Sequence, residues 1–345
     1  AIFDAKPVKK SKYTDIKKLD SVLTASKTEI SFATRGNGVL AMPISEALSK
    51  HSKELANVFS MEKTPQDQFG AFINANFNSG FAVFISKDND EPATIEASLP
   101  NGACAKCVIV VEKGVRANLL EKISSGQNAL LSQTVYLKEG ATLSHAKINS
   151  FKENAIVCQQ NILERDAKLW NANTWNGGNF VRTDNINILK GQGSEARDYV
   201  IQLLDGAQKF DMHFTALHKT RDSFSHTIFK SVLGDASSNV FDGMILIEEG
   251  ADKTNALLEC HSMLLDEKAS SNQIPGLEIK TDDVKATHSA TVARIEDEEI
   301  FYLQSRGIAG NEAKKLVVKG FLESLAYEMP NALRKALFEE IDARI

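Results

Sequence analysis

The chain has 345 residues, of which 43% are hydrophobic and 25% are charged, and its formal net charge is -5. This composition is typical of a soluble globular protein, and the weak negative charge gives no reason to expect nucleic-acid binding. No apolar run approaches the ~20 residues of a membrane-spanning helix, and the Lys-rich residues 6–18 are not followed by a signal-type apolar segment. Four cysteines are too few for a disulfide framework in a chain of this size, which favours a reducing compartment. We therefore expect a cytoplasmic protein.

Helical periodicity marks the first part of the chain. Apolar residues recur at helical spacing in residues 43–61 and again in residues 66–77. These two segments predict an N-terminal helical domain over residues 1–79.

From Gly80 to about Phe301 the pattern changes to short apolar runs broken by Gly, Asn and Asp. Turn signals recur at irregular spacing, at residues 113–114, 139–141, 205–207, 234–236 and 250–251. The pattern fits a parallel β-helix or another elongated sheet, whereas a sandwich or barrel of this size would be large for one domain. We assign residues 80–304 to this β-rich core.

The end of the core contains a cysteine and a histidine. Residues 244–247 predict a strand that ends in a turn at Gly250, and residues 255–265 predict a strand that holds Cys260 among apolar neighbours. Ile274-Pro275-Gly276 predicts a turn. Residues 284–292 then alternate, so that His288 shares one strand face with Val284, Ala286, Ala290 and Val292.

The last part of the chain is helical again. Residues 312–327 and 332–345 predict two helices separated near Pro330, within a C-terminal domain over residues 305–345. Each helix carries an apolar stripe. The first stripe comprises Leu316, Val317, Gly320 and Phe321, and the second comprises Leu333, Leu337 and Ile341.

Two short motifs indicate structure rather than chemistry. Residues 191–196 match the spacing of a dinucleotide-binding loop, but residues 199–204 predict a strand where that site needs a helix, which favours an ordinary turn. Cys104 and Cys107 have CxxC spacing without a second Cys or His pair nearby, and residues three apart face opposite sides of a strand. The sequence contains no Walker-type phosphate loop, so we do not expect this chain to hydrolyse ATP.

Several segments of the sequence together form a recognisable pattern, namely ECHSMLL (259–265), PGLEI (275–279), DDVKATH (282–288), FYL (301–303) and SRGI (305–308), with upstream extensions at residues 225–227 and 170–175. In these segments the chain resembles the SufB/SufD scaffold proteins of iron–sulfur cluster assembly. The resemblance covers most of the chain and is strongest from about Ser225 onward.

The resemblance implies a right-handed parallel β-helix core flanked by helical N-terminal and C-terminal parts. It also implies a non-enzymatic scaffold for a transient iron–sulfur cluster, with flavin left open as a second cofactor. The implied partners are a SufC-type ATPase on the C-terminal helices, a sulfur donor protein, and a second subunit in a homodimer or a SufB/SufD-type heterodimer. Nucleic acid and membrane are not among them.

The resemblance also names two site residues. Cys260 matches the SufB interface cysteine that accepts sulfur and ligates the cluster, and His288 matches the SufD interface histidine, a suitable iron ligand. The alternative for both is a structural role in the core. Two departures from SufB argue against direct sulfur acceptance: Ser289 stands in place of a carboxylate, and Asn187 in place of an upstream cysteine. Cys158 is a candidate to replace that cysteine, although nothing in the residues around it supports this role.

We expect Cys260 and His288 on neighbouring coils near the C-terminal end of the core, close to a subunit interface. Two other functions stay open. One is a SufD-like structural partner of a SufB chain that binds no cluster alone. The other is a polysaccharide-active β-helix enzyme that uses Asp222, Asp282 or Asp283 as acid, base or calcium ligand. The two C-terminal stripes either dock the ATPase or pack on the chain's own core.

Overall fold

A computed structural model describes residues 30–62, 68–327 and 329–343; the Lys-rich residues 6–18 lie outside this range. The described strands are, in chain order, β1 (Ser31–Arg35), β2 (Val39–Pro43), β3 (Ser79–Ile85), β4 (Ala93–Leu99), β5 (Cys104–Val111), β6 (Arg116–Ser125), β7 (Ala129–Leu137), β8 (Thr142–Phe151), β9 (Asn154–Leu163), β10 (Lys168–Gly177), β11 (Phe180–Leu189), β12 (Glu195–Leu204), β13 (Lys209–His218), β14 (Phe224–Leu233), β15 (Ser238–Ile247), β16 (Asn255–Leu264), β17 (Ser270–Ile279) and β18 (Lys285–Arg294).

These strands form two nine-stranded sheets that wind into a parallel β-solenoid of about eight turns. Sheet A has the order β1-β4-β6-β8-β10-β12-β14-β16-β18, and sheet B has the order β2-β3-β5-β7-β9-β11-β13-β15-β17. From β3 onward each strand pairs in parallel with the strand two positions later, so one coil is one strand from each sheet. β1 and β2 close the N-terminal end with antiparallel pairs. The predicted β-helix is confirmed.

Strand alternation builds the interior of the solenoid. In β16, Ala256, Leu258 and Cys260 belong to the apolar cluster between the two sheets, whereas the intervening Leu257 and Glu259 point outward. Sharp corners between coils use left-handed backbone, as at Gly140 (φ +67°), where glycine has no steric penalty. The turns predicted at residues 113–114, 139–141, 205–207, 234–236 and 250–251 are all confirmed.

The predicted turn at residues 274–276 is wrong, because these residues lie in the middle of β17. Ser270 and Lys280 donate their N–H groups towards β15, at 3.1 and 3.0 Å. Since successive N–H groups along a strand point to opposite sides, the odd-numbered Pro275 has its nitrogen on the free edge of sheet B. A proline there costs no ladder hydrogen bond, so the strand continues through it.

Three helices pack on the outer face of sheet B: α1 (Ile44–Lys50), α2 (Ser52–Met61) and α3 (Gln68–Asn76). The helix predicted over residues 43–61 is broken at His51, whose backbone is not helical (ψ 31°). The imidazole of His51 stacks on the ring of Phe84, with 4.3 Å between the ring centroids. The break lets each half lay its own apolar face on the sheet. Lys106 of β5 anchors the end of α2 by a buried ion pair with Glu62, at 2.6 Å.

Three more helices follow the solenoid: α4 (Asp297–Ser305), α5 (Gly310–Glu323), which continues as a 3-10 turn (Ser324–Tyr327), and α6 (Asn331–Asp342). Helices α5 and α6 cover the outer face of sheet A, where they bury Val318, Leu322, Leu333, Leu337 and Ile341. Within the described residues no helix is long and apolar enough to cross a membrane.

Candidate functional site

Cys260 lies inside the solenoid. Its strand β16 is the second-last strand of sheet A, and its register partners are Phe229 on β14 and Ala290 on β18. The side chain is 0% exposed. Burial raises the pKa of the thiol to about 12, and the negative charge of the neighbouring Glu259 adds to this effect. The closed structure therefore holds Cys260 as a protonated thiol, whereas metal ligation and sulfur chemistry need the thiolate.

His288 lies on β18, one strand beyond Cys260. It pairs with Leu258, so its side chain faces the same way as that of Cys260, and the two residues are diagonal neighbours. Strands about 4.8 Å apart and an offset of two residues place their Cα atoms about 8 Å apart. His288 is exposed, because the last coil has no further coil above it. The expectation of neighbouring coils at the C-terminal end of the core is confirmed.

The last coil ends the solenoid with apolar side chains exposed. Four large hydrophobic residues of β17 and β18 are more than one-third exposed, namely Ile274, Leu277, Ile279 and Val292. The two strand edges differ. The N–H groups of Lys285 and Ile295 donate towards β16, at 2.9 and 3.0 Å. Because N–H groups alternate in direction along a strand, those of Ala286, His288 and Ala290 point to the free edge of sheet A. The free edge of sheet B instead carries Pro275, which has no N–H group.

The outer side of the same strand carries a second polar group. Glu259 lies between two imidazoles, with Oε1 at 2.8 Å from Nε2 of His226 and Oε2 at 3.6 Å from Nε2 of His261. Partial burial works against its charge, but the hydrogen bond and charge of His226 lower the pKa of Glu259 below its usual value. The carboxylate therefore stays ionised directly beside Cys260, where it opposes a thiolate.

The largest polar feature of the interior was not predicted from the sequence. Buried side chains form a polar column along the middle coils, in which Glu121 binds His145 at 3.0 Å and Lys147 binds Gln159 at 2.7 Å. The column continues through Gln159, Asn161, Asn187, Asp198 and Asn171. Its signal in the sequence is a polar residue at an inward position of an otherwise apolar strand, as in Leu119-Leu120-Glu121.

Burial and neighbouring charges shift the pKa values of the ionisable residues in the polar column. Burial raises the pKa of Asp198 to about 7, although Asn171 and Asn187 donate hydrogen bonds to its carboxylate. Burial also lowers the pKa of Lys147 and of His145. Asn187 is a member of this column and offers no thiol. Towards Cys260 the column gives way to the stacked rings of Phe229 and Phe241, 4.1 Å apart.

The other motifs have structural roles. Cys104 packs outward under α3, whereas Cys107 faces the interior, and burial raises the pKa of both thiols, that of Cys104 to about 11. Residues 191–196 form a turn that leads into strand β12, so no helix N-terminus is present for a pyrophosphate. The predicted strand after this turn and the opposite facing of Cys104 and Cys107 are confirmed. Cys158 is the one cysteine that is not buried, and it lies on the outer face of sheet B near α3.

The aspartates considered for glycan chemistry lie in stacked corners of the solenoid. Asp222 has left-handed backbone (φ 58°) and accepts a hydrogen bond from Gln192 at 2.8 Å, and the carbonyl of Asp283 accepts the N–H of Lys253 at 2.6 Å. These contacts hold successive corners together. Among the described residues no three Cys, His, Asp or Glu side chains are grouped so that they could hold a metal ion.

The two predicted C-terminal stripes face different surroundings. Leu333, Leu337 and Ile341 of α6 are buried against sheet A, so this stripe packs on the chain's own core. In α5, Leu316 is 49% exposed and Gly320 is exposed, while Phe321 packs against the core under Nζ of Lys230. On the neighbouring α4, Phe301 and Tyr302 are 70% and 58% exposed.

Comparison with known proteins identifies similar chains. Residues 93–321 match the family described as SUF system FeS cluster assembly, SufBD core domain. The chain is 25% identical over 340 residues to the iron-sulfur cluster assembly protein SufD of Bacillus subtilis. The matched region covers 93% of this chain and 77% of the relative. It is 24% identical to SufB of the same organism, over 85% of this chain and 66% of the relative. A chloroplastic SufBD family protein of Arabidopsis thaliana is 24% identical, over 86% of this chain and 57% of the relative.

Proposed function

The chain belongs to the SufBD core family of the SUF system for iron–sulfur cluster assembly, and from that premise we propose that it is a scaffold on which a nascent cluster is assembled. The supporting observation is the position of Cys260 and His288, which share one inward face at the open end of the solenoid. A thiolate and an imidazole are both ligands that iron accepts. The cluster is cargo in this proposal, and the chain itself catalyses no reaction.

A second subunit completes the ligand set. Each copy supplies one thiol and one imidazole, so two copies that meet at the last coil supply four ligands, the number that a cluster commonly uses. The exposed apolar side chains of β17 and β18 support this contact. Main-chain pairing is expected at β18, because its edge offers regularly spaced N–H groups, while Pro275 interrupts the edge of β17.

The proposed ATPase partner, of SufC type, docks on the C-terminal helices. The accessible stripe of α5, formed by Leu316, Val317 and Gly320, and the exposed aromatic residues of α4 are suited to such a contact. Lys230 of β14 binds the carbonyl of Phe321 at 2.6 Å and also Ser324, and it pairs in register with His261 of β16. A movement of α5 is therefore transmitted to the strand that carries Cys260.

A second candidate is a SufD-like structural partner that pairs with a SufB chain and holds no cluster alone. Three observations favour it: Ser289 provides no carboxylate, Asn187 provides no relay thiol, and Cys260 is fully buried. In either role a separate protein donates the sulfur. Free cysteines agree with the reducing conditions of the cytoplasm, where we place this function.

Anaerobic reconstitution of the purified chain with iron and sulfide separates the two candidates. The scaffold proposal expects retained iron in the wild type, its loss in Cys260→Ser, and its retention in the matched control Cys158→Ser. Circular dichroism checks that all three fold alike. A wild type that retains no iron supports the SufD-like role, and a Cys260→Ser variant that retains iron as well as the wild type contradicts ligation by Cys260.

A further inference from the structure

Cys260 is closed off on two sides by different kinds of residue. On the side of the middle coils lie Phe229, its register partner, and Phe241, which stacks on Phe229. Both rings are 0% exposed and form part of the apolar interior. Moving them would disrupt the packing between the two sheets, so displacement of this side is costly. On the side of the open end, the register partner of Cys260 is only Ala290, whose methyl group covers little.

Gln273 supplies the missing cover on the open side. It lies on β17 of the opposite sheet, in register with Phe241, and its side chain points inward. With the amide oriented so that its oxygen faces donors and its nitrogen faces acceptors, the NH₂ donates to the carbonyl of Cys260 at 2.8 Å and the oxygen accepts from the N–H of Ser262 at 3.3 Å. The side chain therefore crosses from sheet B to sheet A at the level of the thiol.

The direction of these two hydrogen bonds places the amide above Cys260. Asn255 and Leu265 donate their N–H groups towards β14, at 3.0 and 2.8 Å. Because N–H and C=O groups alternate along a strand, the even-numbered Cys260 carbonyl and Ser262 N–H point the other way, towards β18 and the open end. The Gln273 amide thus contacts β16 on the side that faces the open end. The hydroxyl of Ser262 also contacts those of Ser231 at 2.6 Å and Ser271 at 2.7 Å.

We propose that Gln273 is a removable cover for Cys260, and that thiol reagents, iron or sulfur carriers reach Cys260 only through the open end of the solenoid once the Gln273 amide releases β16. The open end is the proposed route because Phe229, stacked on Phe241, packs next to Cys260 on the side of the middle coils. The inference rests on the proposed function only in taking Cys260 as the working thiol. Its test measures access of a reagent to the thiol, whereas the test of the proposed function measures retention of iron.

Timed alkylation of the full chain under native conditions, with iodoacetamide as the probe, tests the cover. Mass spectrometry of the cysteine-containing peptides gives a separate rate for each thiol. In Gln273→Ala the rate at Cys260 should rise about tenfold or more, the factor expected from the loss of two hydrogen bonds. Gln273→Ser provides a second, more polar variant with the same expected result. Cys107, buried six coils away, is the internal reference and should not change.

Ser271→Ala is the matched control, because it removes a hydroxyl from the same coil and leaves the cover in place. Its Cys260 rate should stay within about twofold of the wild type. The proposal is overturned if neither Gln273 variant accelerates Cys260, or if Cys107 accelerates in step with it, since the latter result means that access requires general unfolding. Iron retention by the wild type is measured separately, so failure of the scaffold function and failure of the cover are distinguishable.

Discussion

Truncation of Leu337 distinguishes internal packing from partner docking in the C-terminal helices. Leu337 of α6 is 0% exposed and belongs to the cluster that joins α5 and α6 to Ala146 and Tyr199 of sheet A. Leu337→Ala removes buried methyl and methylene groups and leaves a cavity, which costs about 2–5 kcal/mol of unfolding free energy. We expect a clearly lower urea midpoint for this variant, measured by circular dichroism.

Leu316→Ala should have the opposite profile. Leu316 is 49% exposed on the other side of α5, so its truncation should change the unfolding free energy by no more than about 0.5 kcal/mol. If the ATPase docks on this face, the same change should weaken binding by about 1–2 kcal/mol, or roughly 5–30-fold in Kd. Calorimetric titration with the SufC-type ATPase measures this. Lys314→Ala, also exposed on α5, is the matched control and should bind normally.

Each half of this comparison has its own refuting result. An unchanged urea midpoint for Leu337→Ala would mean that α6 is not held on sheet A. An unchanged ATPase affinity for Leu316→Ala would exclude the accessible face of α5 as the docking surface, whatever the stability of the variant.

Three further predictions concern stability. Burial alone would lower the pKa of His213, but hydrogen bonds to Asp211 and Asp242 raise it to about 9. The charged imidazole therefore stabilises the fold fully below about pH 6.5, and this contribution is lost as the pH rises through 9. The difference in urea midpoint between wild type and His213→Gln should be larger at pH 6 than at pH 10. Burial lowers the pKa of His218 to about 4, so wild type should lose thermal stability as the pH falls from about 6.5 towards 4, and His218→Asn should show a weaker slope over the same range. Gly80→Ala should fail to fold or unfold far earlier than wild type, because the added Cβ would lie 1.8 Å from the carbonyl oxygen of Lys106, while Gly140→Ala, whose nearest neighbour is 3.9 Å away, should cost only about 1 kcal/mol by thermal melting.

Local rules predicted the strands and corners near the functional site. A strand with a period of two reports directly which side chains face inward, and this placed His288 on the correct face of β18. Glycine at a left-handed corner is an equally local signal, as at Gly250 (φ +80°). Both signals depend only on neighbouring residues, so they can be recognised in the sequence before the fold is known.

The errors arose where a distant partner decides the structure. A proline usually ends a strand, but the nitrogen of Pro275 faces the free edge of sheet B. Its strand is at the edge because no further coil follows, and nearby residues do not reveal this. The polar column escaped prediction for the same reason. Glu121 and His145 come from successive strands of sheet A, and a sequence pattern cannot show that they meet inside the solenoid. Likewise the break at His51 depends on its contact with Phe84 of β3.

Burial of Cys260 sets a requirement on any scaffold mechanism. A thiol whose pKa is raised by burial and by the charge of Glu259 can ligate iron only after its surroundings change. The aromatic pair on one side belongs to the packed interior, whereas the cover on the other side consists of hydrogen bonds that open at low cost. Lys230 ties α5 to β14, the strand that pairs with the Cys260 strand β16. The proposed docking of a partner on α5 therefore requires that partner to loosen the last coil, so that Cys260 becomes accessible beside His288.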